Sequence, residues 1–225
     1  MSQPPKFSII LNCYDVDMVQ RHQTMACLAT IRKFTEAPYE IIVVDNEPVH
    51  RIRDEYGVLA PLNVIETPLK TVYESYNMGA AAAKTDYFFF IQNDVYVHEK
   101  TLNRLMAYFK KYDVVFPQQI PISRSDVKDI YKTPTGRDTA VGQRDAGLLG
   151  ITRAAFEKSG GWDERFHNLL GEAAFYARID NAGLSWTDRT TAFITHIMAG
   201  NNLRKDVGLY NDEMAHDAKL LEEYR

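Results

Sequence analysis

Short apolar runs, separated by amphipathic stretches, set the pattern of this chain. Phe7 to Leu11 is apolar and ends in the polar loop Asn12-Cys13-Tyr14-Asp15. Glu40-Ile41-Ile42-Val43-Val44-Asp45 is β-branched and stops at a carboxylate. Tyr87 to Gln92 is aromatic and apolar and stops at Asn93-Asp94. Runs this short and this rich in β-branched and aromatic residues predict strands covered on both faces. Asn63 to Glu66 predicts a third strand between the last two, nearer the sheet edge. The stretches between the runs carry helical spacing. Val16 to Phe34 places Val16, Val19, Ala26, Leu28, Ile31 and Phe34 on one face, with Asp15 or Asp17 as a cap. Val49 to Tyr56 predicts a short helix, and Thr71 to Lys84 a longer one whose alanines at 80 to 83 let it lie close on a sheet.

Past Asp94 the pattern continues with a helix over Glu99 to Lys111 and a strand over Asp113 to Pro117. Gln118 to Gln143 has no clear period and contains Pro121, Pro134 and Gly136. It predicts a long loop, a feature that in a compact domain is usually functional or mobile. Ala146 to Ile151 predicts a strand and Arg153 to Lys158 a short helix. Gly160-Gly161-Trp162-Asp163 predicts a tight turn carrying a large aromatic. Leu170 to Ala182 predicts a helix closed by Gly183. Strands follow over Ser185 to Asp188 and Ala192 to Ile197, then a polar helix over Asp206 to Arg225 with an apolar seam at Leu209, Met214, Leu220 and Leu221.

Strand–helix alternation of this kind predicts an α/β domain with a mostly parallel central sheet, right-handed crossovers and helices on both faces. Ligands of such sheets bind outside the carboxyl ends of the strands. That places Asn93 and Asp94 where a ligand is expected, although Asn-Asp also serves simply to turn a chain. Asp45 ends a second strand the same way.

Composition narrows the class without changing this picture. With 225 residues, one α/β domain has a real core and two would be cramped. The chain is 45% hydrophobic and 25% charged with a net charge of -4, so bulk charge does not make it a polyanion binder. One stretch departs from the balance. From Lys100 to Arg153, lysine and arginine outnumber aspartate and glutamate ten to five. This is either a solvated face or the acceptor side of a site for an anionic molecule. No apolar run reaches the roughly 20 residues that span a bilayer, and Met1 to Lys6 lacks the features of a signal peptide. Cys13 and Cys27 form neither a metal pattern nor a disulfide framework. A cytoplasmic location is expected.

Four separated features carry candidate chemistry: Asp45, Gln92-Asn93-Asp94, Glu172 and His196. A carboxylate and an imidazole beside a diphosphate suit Mn²⁺ or Mg²⁺. A second carboxylate at a helix start suits a general base. Together they fit transfer of a group from a nucleoside diphosphate. Each also has a plainer explanation: a lone histidine on a strand is commonly structural, and a glutamate in a first turn commonly complements the helix dipole.

From Phe7 to about Asn201 the chain resembles the GT-A-fold glycosyltransferases, in particular family 2 and its near relatives. Phe7 to Asp15 is similar to the family's opening strand and loop. Glu40 to Asn46 is similar to its second strand, whose terminal aspartate contacts the nucleotide. Asn77-Met78-Gly79 before the alanines resembles its Asn-x-Gly helix. Phe88 to Val95 resembles the version of its metal motif that reads Leu-Asn-Asn-Asp-Val. Gly147 to Arg153 and Gly160 to Phe166 resemble its acceptor-side segment. Arg178 and Gly183 fix the register of its base-carrying helix, which puts Glu172 on the base position. His196 to Gly200 resembles the segment whose histidine completes the metal site. Gln92, Gly171, Ala174 and Tyr76 depart from the family, standing where acids (and, at Tyr76, arginine) are frequent.

The resemblance implies a single GT-A (Rossmann-like) domain over residues 1–225. Residues 1–95 form its nucleotide-sugar-binding half, 96–200 its acceptor-binding half and 206–225 a C-terminal helix. It implies a glycosyltransferase moving a sugar from a nucleotide-diphosphate donor, a UDP-sugar by expectation, to an acceptor hydroxyl with inversion. Glu172 is then the base, Asp94 and His196 hold Mn²⁺ or Mg²⁺, and Asn12, Tyr14, Asp45, Asn77 and Asn93 bind the donor. The acceptor is a cell-surface glycan or, given the basic stretch with Lys128 and Lys132, a hydroxymethylated base in DNA. Two rivals stay open. One is a catalytically inactive nucleotide-sugar-binding module. The other is a nucleotidyltransferase, although Asn12 to Asp15 lacks the glycine-rich loop that chemistry needs.

Overall fold

The structure is a computed structural model. It describes residues 5–14, 18–46, 56, 61–68, 70–123, 141–142, 144, 147–167, 170–198 and 210–224. The predicted helix at Val49–Tyr56, apart from Tyr56, therefore lies outside the described residues. So do the caps Asp15 and Asp17, Leu209, Lys128, Lys132 and residues 199–209.

The elements in chain order are β1 (Phe7–Cys13), α1 (Met18–Phe34), β2 (Tyr39–Asp45), β3 (Asn63–Glu66), α2 (Val72–Ala82), β4 (Tyr87–Ile91), β5 (Val95–Val97) and α3 (Thr101–Tyr108). They continue with β6 (Val114–Val115), β7 (Gln118–Ser123), β8 (Val141–Gly142), β9 (Leu148–Thr152), α4 (Arg153–Ser159), α5 (Leu170–Asn181), β10 (Trp186–Thr187), β11 (Phe193–Met198) and α6 (Tyr210–Leu221). The main sheet runs β10-β6-β9-β4-β1-β2-β3. β1 pairs in parallel with β2 and β4, and β2 with β3, so the carboxyl ends of β1, β2 and β4 lie side by side. β9 enters between β6 and β4 antiparallel to both, which makes the sheet mostly rather than wholly parallel.

The sheet separates two apolar layers. Ile9, Leu11, Val43 and Phe89 point to the α1 side with Leu28 and Ile31. Ile10, Ile42, Phe88 and Phe90 point to the other side with Ala80, Trp162 and Phe175. That alternation is the period of two that the apolar runs hid, because both faces are covered. α2 begins at a capping box in which Thr71 accepts from the Glu74 amide and Glu74 accepts from the Thr71 amide. It lies so close to β1 that a Cβ on Gly79 would sit 2.3 Å from Ile10 Cγ2.

Two expectations need correction. The stretch from Gln118 is not loop from its start: Gln118–Ser123 pairs in parallel with β11, and Gln118 and Gln119 pair with β8. Pro121 does not break this strand. The Gln118 amide donates to Ala192 O on the β11 side, so by alternation the Pro121 nitrogen faces away from β11 and its missing N–H costs that ladder nothing. β11 in turn pairs antiparallel with β5, setting His196 against Val95 in a second, four-stranded sheet. The second correction is the buried face of α1. Val19 is exposed, while Gln20, Gln23 and Thr24 are buried with Cys27, Leu28 and Ile31. The first half of the helix covers the polar ends of the strands, where buried groups must find hydrogen bonds.

The C-terminal helix docks on the domain. Leu220, Leu221 and Tyr224 pack against the layer that contains Trp162 and Phe175. A charged clamp fixes the end. Asp163 accepts from Arg165, from the Tyr224 hydroxyl at 2.5 Å and pairs with Arg178 at 3.2 Å. Burial alone would raise the Asp163 pKa. The bonds from Arg165 and Tyr224, with the Arg178 charge, outweigh it and hold this carboxyl well below its ordinary value. A depressed pKa contributes stability above the unfolded value that is lost as pH falls through the folded one. Asp163→Asn is expected to lower Tm at neutral pH by roughly 4–8 °C, the effect of losing about 2 kcal/mol from a domain of this size. In a pH series by circular dichroism the gap to wild type stays constant down to about pH 5 and narrows below it.

Candidate active site

The chemistry assembles at the carboxyl ends of β1, β2 and β4. Asn12 and Cys13 close β1, Asp45 closes β2, and Gln92-Asn93-Asp94 follows β4. The backbone of this last segment is tied on three sides. The Gln92 amide donates to Gly147 O at 2.9 Å, Gln92 O accepts from the Val95 amide at 3.3 Å, and the Cys27 thiol lies 3.7 Å from the same oxygen. The Asn93 side chain donates to Thr24 Oγ1 at 3.1 Å, so α1 fixes the residue just before Asp94.

Asp94 and His196 meet through strand pairing. The Ile197 amide donates to Asp94 O, and Asp94 Oδ1 faces His196 Nε2 across 3.4 Å. Both side chains are largely buried, and Asp94 Oδ1 accepts no hydrogen bond from the described residues. Gly147 backs the imidazole: a Cβ there would sit 3.0 Å from His196 Nδ1. An oxygen and a nitrogen donor, close together and with carboxylate capacity left over, fit a divalent cation. Among the described residues no three His, Cys, Asp or Glu side chains converge on one point.

Glu172 reaches the same edge from the first turn of α5. Its Oε1 accepts from Gln92 Nε2 at 3.1 Å. The helix start is seated on an aromatic floor. Gly171 lies against the Tyr73 ring, where a Cβ would come within 2.3 Å of Cε2. This explains why an acid is absent at position 171. Tyr73 and Tyr76 stack on or tilt against Trp162, which stacks on Phe175 at 4.0 Å. Burial first, and then the Glu172 carboxylate, push the Tyr73 and Tyr76 phenols well above their ordinary pKa, so both stay neutral beside it.

On the other side of β1, Asp45 is fully buried and Tyr14 is partly exposed at the rim. Asn46, which the motif reading passed over, is the centre of this corner. Its Nδ2 donates to Asn12 Oδ1 at 2.6 Å and to Ser75 Oγ at 2.8 Å. Ser75 gives its own proton to Thr71 O, which fixes the orientation of the Asn46 amide. Among the described residues the buried Asn46 Oδ1 has no hydrogen-bond partner. A polar residue directly after a strand-ending aspartate was the available signal.

Six of the eight singled-out residues thus converge: Asn12, Asp45, Asn93, Asp94, Glu172 and His196, with Tyr14 at the rim. Asn77 stands apart from them. Its Nδ2 donates to Trp162 O at 2.9 Å and to Glu164, and its Oδ1 accepts from the Trp162 amide, so both ends of the side chain hold the Gly161-Trp162 turn. A cavity of about 310 Å³ beside Asn77, lined by Phe88, Arg153 and Phe156, lies toward the opposite end of β4 from Asp94. It is not part of this constellation.

The family model for glycosyl transferase family 2 matches residues 8–178, most of the chain. Among solved structures, Staphylococcus aureus TarS 1-349 aligns with a TM-score of 0.63 at 15% identity, covering 85% of this chain and 60% of that one. The same protein in complex with UDP aligns with a TM-score of 0.63 at 16% identity, covering 97% of this chain and 70% of that one. The chain thus spans between 60% and 70% of these structures. No curated protein matches.

Proposed function

We propose, from the premise that this chain belongs to glycosyl transferase family 2, that its sugar donor is a UDP-sugar held at the ends of β1, β2 and β4. The reaction is displacement at the anomeric carbon by an acceptor hydroxyl, with inversion. The observation that carries this is the convergence of Asp94, His196 and Glu172 on one sheet edge from three distant parts of the chain. The UDP in the TarS complex supports the choice of nucleotide.

In this reading Asp45 and Asn12 face the nucleoside, with Tyr14 at the mouth. Asn46 Oδ1 offers a buried acceptor to a donor group of the base or ribose. Asp94 and His196 would hold Mn²⁺ or Mg²⁺ against the diphosphate. When bound, that cation neutralises charge developing on the departing nucleotide. Glu172 takes the proton of the acceptor hydroxyl as its oxygen forms the new bond and the bond from carbon to the diphosphate oxygen breaks. Asn77 serves the fold of the Gly161-Trp162 turn instead of the donor.

Thermal shift with UDP, GDP, dTDP and CMP tests the nucleotide assignment. UDP at about 100 times its Kd is expected to stabilise by about 2.7 kcal/mol, and CMP at the same concentration much less. A shift with none of the four contradicts the reading.

A further inference from the structure

Among the departures from the family, Gln92 stands where an acid is frequent. The structure assigns it a role. We infer that Gln92 is a positioning residue for Glu172, and this rests on the reading of Glu172 as the base. The Gln92 side-chain amide donates to Glu172 Oε1 at 3.1 Å. A carboxylate only accepts, so Nε2 and not Oε1 of Gln92 faces it.

The donor is carried on a backbone held from three directions, by Gly147 at the start of β9, by Val95 at the start of β5 and by Cys27 of α1. Such support fixes the direction of the amide as well as its place. Glu172 is meanwhile set from below, through Gly171 pressed on the Tyr73 ring. The carboxylate is therefore aimed by two elements at once. A neutral amide achieves this without adding a charge to the base. It also ties the base to the segment that carries Asp94 two residues later, so that the base and the cation pair keep a constant spacing. An acid at position 92 would do the opposite. It would meet Glu172 with like charge and turn it away.

The test is donor hydrolysis, with water in the acceptor's place and UDP-glucose as the first probe, replaced by any better UDP-sugar substrate found. Gln92→Ala is expected to lower kcat tenfold or more while donor KM stays within about twofold, the mark of a misaimed group rather than a lost binding contact. Gln92→Glu keeps the size of the side chain but not the donor, and is expected to lose at least as much. The double variant Gln92→Ala/Glu172→Ala should turn over no more slowly than Glu172→Ala alone. Wild-type kcat in both Gln92 variants, or losses that multiply in the double variant, overturns the inference. The Glu172→Ala arm separates the two claims. Full turnover in that variant removes the base assignment and Gln92's role together. A dead Glu172→Ala beside a fully active Gln92→Ala removes only the latter.

Discussion

Glu172→Gln is expected to lower kcat for sugar transfer, or for donor hydrolysis, by about 10³-fold, within the range a general base contributes. At about 1.4 kcal/mol per factor of ten this is about 4 kcal/mol of transition-state stabilisation. The substitution keeps shape and one acceptor oxygen for the Gln92 amide, and removes the ability to take a proton. Glu172 is seated by contacts that do not depend on that ability: the Gly171–Tyr73 contact and the first turn of α5. The fold and UDP affinity should therefore be retained. Donor KM is expected to change by less than about twofold. A matching fall in UDP binding would mean that Glu172 holds the donor instead of the proton.

The second large effect is at Asp94. Asp94→Asn is expected to lower turnover by about 10²-fold or more, the several kcal/mol a bound cation contributes to a leaving diphosphate. Its signature is the loss of cation dependence. In the wild type, UDP should raise Tm more with Mn²⁺ than with EDTA. In Asp94→Asn the two shifts should coincide. His196→Ala should act in the same direction, because its Nε2 and Asp94 Oδ1 share one 3.4 Å gap. Equal responses to UDP with Mn²⁺ and with EDTA in the wild type would remove the cation from the account.

Part of this convergence is legible in the sequence. Asp45 and Asp94 each follow a run that fits a buried strand, and parallel pairing of β1 with β2 and β4 brings those strand ends together. The register of Arg178 and Gly183 placed Glu172, which Gln92 meets across eighty positions of chain. What stayed hidden was set by contacts that local periodicity does not encode. The antiparallel entry of β9, and the pairing of β5 with β11 that brings His196 to Asp94, are long-range choices. Pro121 reads as a breaker until its nitrogen is placed on the side away from β11. The buried glutamines and threonine of α1 defeat an apolar-stripe reading, because this half of the helix covers hydrogen-bonding groups and not core. The resemblance implies a donor-binding role for Asn77, and its hydrogen bonds to both backbone ends of Trp162 are a contact that no motif encodes.

The most direct test of the central claim is nucleotide release from a panel of UDP-, GDP-, dTDP- and CMP-sugars by the wild type and Asp94→Ala, each with Mn²⁺ or EDTA. The account predicts release from a UDP-sugar, dependent on Mn²⁺ and abolished in Asp94→Ala. Release that persists in EDTA and in Asp94→Ala would contradict the placement of catalysis at this edge, and a panel that is neither bound nor cleaved would contradict nucleotide-sugar transfer itself.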